Sequence, residues 1–135
     1  PKALCDHPRN ITDDQIRCCA ATGGVIGING IGKFLGDSIE PEKFVDHIAY
    51  TADLVGAQHV GVALDYSDGS DDLQDAITGQ SNFWPSQWYN GTMEFMAPNR
   101  LLDVVDIMLR RNFSSEDITG ILGGNFFALA QRVWL

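Results

Sequence analysis

Apolar and polar positions follow two different periods along this chain. From Thr12, the stretch "TDDQIRCCAAT" sets Ile16, Cys19 and Ala20 on a short stripe at helical spacing. Thr12 and Gln15 have the spacing of a capping box, Asp13 and Asp14 suit the positive end of a helix dipole, and Gly23-Gly24 stops the pattern. "GVIGIN", 24–29, is a short apolar run rich in β-branched residues and reads as a buried strand of a parallel sheet. A glycine-rich loop, "GIGKFLGDSIE", follows it. Pro41 then opens a helix whose one face is Phe44, Ile48, Ala52 and Val55 and which ends at Gly56. "HVGVALD", 59–65, is a second buried strand. Helix, strand, helix, strand with short connections predicts the βα repeat of a parallel α/β fold.

Residues 66–97 break the pattern. They are rich in Gly, Ser, Asn and aromatics and read as a loop insertion without a period of its own, which is usually functional or flexible. Leu101, Leu102, Val105, Met108 and Leu109 then mark an amphipathic helix. "SSED", 114–117, caps another, Gly123-Gly124 interrupts it, and "NFFALAQRVW" closes the chain as a last helical segment. A parallel pair buried on both faces needs neighbouring strands. The architecture expected is therefore the end of a larger barrel whose other strands lie elsewhere; the alternative is a small α/β domain of two or three strands. The opening "PKALCDHP" has no period and no initiator Met, and reads as the middle of a loop in something longer.

Composition narrows the function. The chain has 135 residues, enough for one domain, and nine basic against eighteen acidic residues give a net charge of −9. That argues against nucleic acid and against an anionic membrane surface as partners. No apolar run approaches the roughly 20 residues of a membrane-spanning helix. Cys5, Cys18 and Cys19 are odd in number and two are adjacent, so reduced thiols are expected rather than a disulfide framework. The Asn-x-Ser/Thr matches at Asn10, Asn90 and Asn112 read as chance.

Chemistry in parallel α/β folds sits at the carboxyl ends of the strands. Asp65 ends the second strand, where a carboxylate can orient a water, accept its proton or hold a substrate ammonium; equally, it can cap the next turn, with Asp68 and Gly69 as turn residues. Arg9 lies just before the first helix and offers a planar fork for a carboxylate, although spacing alone favours a solvated loop arginine. Gly27, Gly30 and Gly32 run G-x-x-G-x-G, not G-x-G-x-x-G, so a dinucleotide fingerprint is rejected. His7, His47 and His59 fall in a loop, in a helix and at the strand end opposite Asp65. They do not converge, the thiols lack C-x-x-C spacing, and no metal site is expected from this chain alone. No nucleophile signature occurs. Trp84, Trp88 and Tyr89 can line a pocket mouth, but packing the loop against the barrel is the favoured role.

"HPRNITDD" (7–14), "GGVIGIN" (23–29), "HVGVALDYSDG" (59–69) and "LLDVVDIMLRRNFSSEDITGILGGNFFALAQRVW" (101–134) resemble the C-terminal part of the membrane dipeptidase family of zinc peptidases. The resemblance runs over most of the chain in the right order and leaves 70–97 unplaced. It implies that residues 1–135 are the C-terminal segment of a single (β/α)8 TIM barrel of the metal-dependent hydrolase type. It also implies hydrolysis of dipeptides by water activated on two zinc ions. By this resemblance Asp65 is a catalytic residue that moves protons and holds the substrate amine, and Arg9 pairs with the substrate's terminal carboxylate. The family's first-strand His-x-Asp pair, bridging Glu and two later His ligands have no counterpart here. The last would lie in a Ser-His just before residue 1, so a missing N-terminal barrel segment is expected to supply every ligand, and this chain alone neither to bind the zinc pair nor to be active. "DYSDG" carries one residue more than the family's D-F-D-G, which leaves Asp68 without an assigned role. Two rival functions remain: a non-catalytic barrel relative, or an amidohydrolase acting on non-peptide amides or lactones. The thiols point to a bacterial cytoplasmic setting, and a homodimer is left open.

Overall fold

The computed structural model describes residues 1–68, 70–80, 82–89 and 91–134. Among the described residues helix and strand alternate as far as β2 and helices follow: α1 (Asp13–Ala21), β1 (Ile26–Asn29), α2 (Pro41–Val55), β2 (Val60–Ala63), α3 (Ser70–Gly79), α4 (Leu101–Arg110), α5 (Ser115–Thr119) and α6 (Asn125–Trp134). The capping box of α1 forms as its spacing predicts: the Thr12 hydroxyl accepts from the Gln15 backbone, and Gln15 Oε1 accepts from the Thr12 N–H at 2.9 Å. Ser114 caps α5 in the same way, accepting from the Asp117 N–H at 3.0 Å.

β1 and β2 are parallel, with Ile26 opposite Val60 and Asn29 opposite Ala63. One face of this sheet carries Ile26, Ile28 and Val60 into the main core with Ile16, Phe44 and Ile48. Period two turns Gly27, Asn29, Gly61 and Ala63 to the other face. There the Phe126 ring of α6 lies over the two glycines: a Cβ on Gly27 would stand 3.4 Å from that ring, and one on Gly61 would overlap it, with Cδ2 at 2.7 Å. Asn125 fixes the helix start by donating to the carbonyls of Ala57 at 2.8 Å and Val60 at 2.7 Å.

Two expectations change. Residues 66–97 are not without periodic structure, because α3 occupies 70–79. Leu73, Ala76 and Ile77 stand at i, i+3 and i+4, a short stripe diluted by Gly, Ser and Asn on either side. The segment builds a second apolar cluster from Ile31, Phe34, Ile77, Tyr89 and Met93, with Trp84 and Phe95 against it, so packing is the role of Trp84 and Tyr89, while Trp88 is 41% exposed. In α4 the buried side chains are Val104, Ile107 and Met108, and Leu102 and Leu109 face outward. The helix turns its 104/107/108 side toward α2, and Leu102 and Leu109, seven residues apart, share the opposite edge.

All three thiols are free, as their number suggests. Among the described residues no helix is long and apolar enough to cross a membrane. The Asn10 amide is consumed internally, and Asn112 sits in a left-handed turn with φ 63°. Asn90 lies outside the described residues.

Candidate active site

The carboxyl ends of the two strands are tied together before any side chain acts. The Gly30 N–H donates to the Leu64 carbonyl at 3.1 Å, and the Met96 N–H donates to the Gly30 carbonyl at 2.9 Å. Gly30 is required here: a Cβ would meet the Leu64 carbonyl at 2.8 Å. The glycines behind "GVIGIN" thus serve backbone crossing. Ile31 pairs with Phe95, and the Gly32 N–H donates to the Glu94 carbonyl at 2.9 Å, so the end of the 66–97 segment lies along the rim of the strand ends.

Asp65 stands at that rim two residues past β2, exposed, in the left-handed region with φ 53°. Asp tolerates this conformation better than most residues, and such positions concentrate where a side chain has to be aimed. Asn29, the last residue of β1, does the aiming. Its Oδ1 accepts from the Ile31 N–H at 2.8 Å, which fixes the amide's orientation, and its Nδ2 therefore points to Asp65 Oδ2 at 3.1 Å. Among the described residues Asn29 is the one donor to this carboxylate, and Oδ1 remains open to a ligand.

Arg9 approaches from the loop ahead of α1. Its Cζ lies 5.2 Å from the centre of the Phe34 ring, and its Nη1 donates to the Tyr89 hydroxyl at 3.4 Å. Asn10 places that ring by donating to the carbonyls of Cys5 at 2.9 Å and Phe34 at 3.0 Å. His7 is buried against Phe34 and Tyr89, with ring centres 4.8 and 5.7 Å away, and its Nδ1 accepts from the Arg9 N–H at 3.2 Å. Nε2 faces the Trp88 backbone without a hydrogen bond of normal geometry. Burial lowers the His7 pKa, and the nearby Arg9 charge acts in the same direction, so the ring is neutral at pH 7.

A cavity of about 180 Å³ is lined by Arg9, Asn10, Asn29, Phe34, His47 and Thr51 among others, with Asp65 outside its lining. His47 is 4% exposed, and burial pushes its pKa down to about 4, so it enters this cavity as a neutral ring. Of the two residues the sequence singles out, Arg9 lines this cavity beside Asn29, and Asp65 lies outside it, hydrogen-bonded to Asn29. Asn29 and Phe34 carry no assignment from the sequence, whereas Tyr89 is one of the three aromatics that can line a pocket mouth. Asn29 has a signal, because it ends the first apolar run as Asp65 ends the second; Phe34 has none. Asp68 is exposed at the chain surface, 3.5 Å from the Tyr66 hydroxyl, and takes no part in this linkage.

The arrangement can grip a carboxylate with a cation and a proton or ammonium with an oriented acid. It does not build a metal centre: among the described residues no three His, Cys, Asp or Glu side chains converge to hold an ion. A zinc pair requires several such ligands, so these residues by themselves do not fit one.

A sequence model of the membrane dipeptidase family, peptidase family M19, matches residues 1–83. The dipeptidase aclJ of Aspergillus oryzae is 26% identical over 130 residues, covering 91% of this chain and 26% of that protein. The dipeptidase verJ of Clonostachys rogersoniana is 38% identical over 66 residues, 47% of this chain and 17% of that protein. An uncharacterized protein in the pqqA 5' region of Klebsiella pneumoniae is 40% identical over 70 residues, again 47% of this chain and 26% of that protein. Among solved structures, an amidohydrolase from Pseudomonas aeruginosa superposes with a TM-score of 0.77 at 20% identity, over 99% of this chain and 43% of that one. The mixed α/β fold is thus shared with part of an amidohydrolase. The chain spans about a quarter or less of the curated relatives it matches.

Proposed function

Because this chain belongs to the membrane dipeptidase family, peptidase family M19, we propose that it supplies the substrate-binding and proton-transfer residues of a zinc dipeptidase. In this reading residues 1–135 form the C-terminal segment of one metal-dependent hydrolase barrel, and 66–97 is an insertion at its rim. The ligands of two zinc ions come from an N-terminal segment outside these residues. A zinc pair bound by that segment would supply an activated water and polarise the scissile carbonyl. The residues of this chain do the rest. Arg9 binds the terminal carboxylate of the dipeptide in its planar fork. Asp65 holds the free amine and takes or gives the proton that moves during cleavage. Asn29 keeps one Asp65 oxygen occupied and the other turned to the substrate.

One observation carries the reading: Arg9, which makes no ion pair among the described residues, lines the cavity beside Asn29, and Asn29 in turn orients the Asp65 carboxylate at the strand ends. That pair matches the two charged ends of a dipeptide. A neutral amide or a lactone offers neither end, and a barrel relative without a reaction needs neither group. The test is a panel built on one zinc-loaded dipeptide assay, using the intact protein that carries this chain. The free dipeptide is expected to be cleaved, with about a 100-fold or greater loss of kcat/KM when either the amine is acetylated or the carboxylate amidated, since each change leaves a charged group of the site without its partner. Equal rates on all three substrates, or cleavage of lactones alone, would overturn the proposal.

A further inference from the structure

Arg9 differs from the other cations of this chain in what holds it. The chain has nine Lys and Arg residues against eighteen acids. Lys2, Arg17, Lys33, Lys43, Arg100, Arg110 and Arg111 each pair with a carboxylate. Arg132 donates to the Gly23 carbonyl. Arg9 alone is held by neutral aromatic groups: the Phe34 face, the Tyr89 hydroxyl and the uncharged His7 ring behind them. Among the described residues it makes no ion pair. In a chain with twice as many acids as bases, a cation that pairs with no carboxylate among the described residues retains its charge for something that arrives later.

The holder is rigid where it matters. Tyr89 is 7% exposed, and Trp84 packs edge-on against its ring at 5.0 Å while His7 does so at 5.7 Å. Its hydroxyl is thus fixed relative to the core, whereas an unsupported arginine side chain spreads over many rotamers and loses that freedom on binding. A phenol donating direction but no charge restrains the guanidinium without neutralising it. Tyr89 lies 80 residues from Arg9 in the sequence, within the segment that the family resemblance leaves unplaced.

We propose that Tyr89 is a positioning residue for carboxylate recognition: with the Phe34 ring it pre-sets the Arg9 guanidinium, so that the 66–97 segment sets the selectivity for a substrate with a free terminal carboxylate. The inference rests on the dipeptidase reading above. Its test compares kcat/KM for one dipeptide and for its C-terminal amide, in the intact zinc-loaded protein, for the parent, Tyr89→Phe, Arg9→Met and the double variant. Tyr89→Phe keeps the ring packing and removes one hydrogen bond, so the acid-to-amide selectivity is expected to fall about three- to tenfold, mostly through KM for the acid. Arg9→Met is expected to abolish the selectivity, and Tyr89→Phe to change nothing further in that background. A merely structural role would lower both substrates together and leave the ratio intact, which would overturn the proposal. If Arg9→Met abolishes the ratio and Tyr89→Phe leaves it untouched, the dipeptidase reading stands and the role of Tyr89 falls. If Arg9→Met leaves the ratio unchanged, both fall. Tyr89→Leu with a lowered thermal midpoint and an unaltered ratio would equally refute the positioning role.

Discussion

Asn29 makes two hydrogen bonds with different purposes, and two substitutions separate them. Its Oδ1 satisfies the N–H of Ile31, a residue 5% exposed, at 2.8 Å, and its Nδ2 holds exposed Asp65 at 3.1 Å. Asn29→Leu is close in size and removes both. Leaving the Ile31 N–H without an acceptor costs about 1–3 kcal/mol. Asn29→Asp keeps an oxygen for Ile31 and exchanges only the donor for a second carboxylate. Two unit charges 3.1 Å apart repel by about 1 kcal/mol in a water-like dielectric, which is the appropriate limit for a pair that reaches solvent. The charge-assisted bond to Asp65 is worth about 1.5–3 kcal/mol, so if all of it acts in the transition state either substitution lowers kcat/KM about 10- to 100-fold. Both variants lose the Asp65 bond; beyond that shared loss, urea unfolding should show the Leu variant destabilised by a further ~1–3 kcal/mol from the Ile31 N–H and the Asp variant by about 1 kcal/mol from repulsion. Dipeptide hydrolysis should show both impaired alike. An Asp variant with parental activity would refute the claim that Asn29 aims Asp65. Equal destabilisation of the two variants would refute the division between its two bonds.

Gly61→Ala should destabilise the protein by about 1–3 kcal/mol through overlap with the Phe126 ring, and Phe126→Ala should relieve most of that penalty in the double variant; additive losses in urea unfolding would contradict the packing of α6 on β2. His47 titrates in the unfolded chain near its ordinary value but only at about 4 when folded, so the unfolded state gains a proton first as pH falls, and stability declines between about pH 6.5 and 4. A shift of that size corresponds to about 3 kcal/mol if the ring were wholly shielded and to about 2 kcal/mol after allowing for partial solvent access. His47→Phe should flatten unfolding free energy by that amount between pH 7 and 4.5, and an unchanged pH dependence would exclude the buried neutral ring as its source.

Much of the fold is legible because its signals are local. The capping box at Thr12 and Gln15, Pro41 at the start of α2 and the two β-branched runs each specify an element within a few residues. α4 is harder: Leu, Val, Ile and Met fill so many of its positions that spacing alone does not choose between the 104/107/108 face and the edge bearing Leu102 and Leu109. α3 is harder still, since only a three-residue stripe marks it among polar neighbours. In the site, Asp65 stands out as a charge at the end of an apolar run, and Arg9 through the family resemblance. Asn29 hides as the last letter of "GVIGIN"; its role depends on the parallel register that brings β1 and β2 to the same rim. The Arg9–Tyr89 contact joins residues 80 apart, and nothing local in either segment announces it.

Asp65 is central to the proposed reaction as the group that handles the substrate without holding metal. The most direct measurement is bound metal and dipeptide kcat/KM, taken together, on the intact protein with Asp65→Asn. The substitution keeps the side chain's shape and removes its charge and its capacity as a base. Metal content equal to the parent's and a loss of about 100-fold or more in kcat/KM are expected. Parental activity would contradict any role for Asp65 in the reaction, and loss of metal along with activity would make it a ligand rather than a substrate-handling acid.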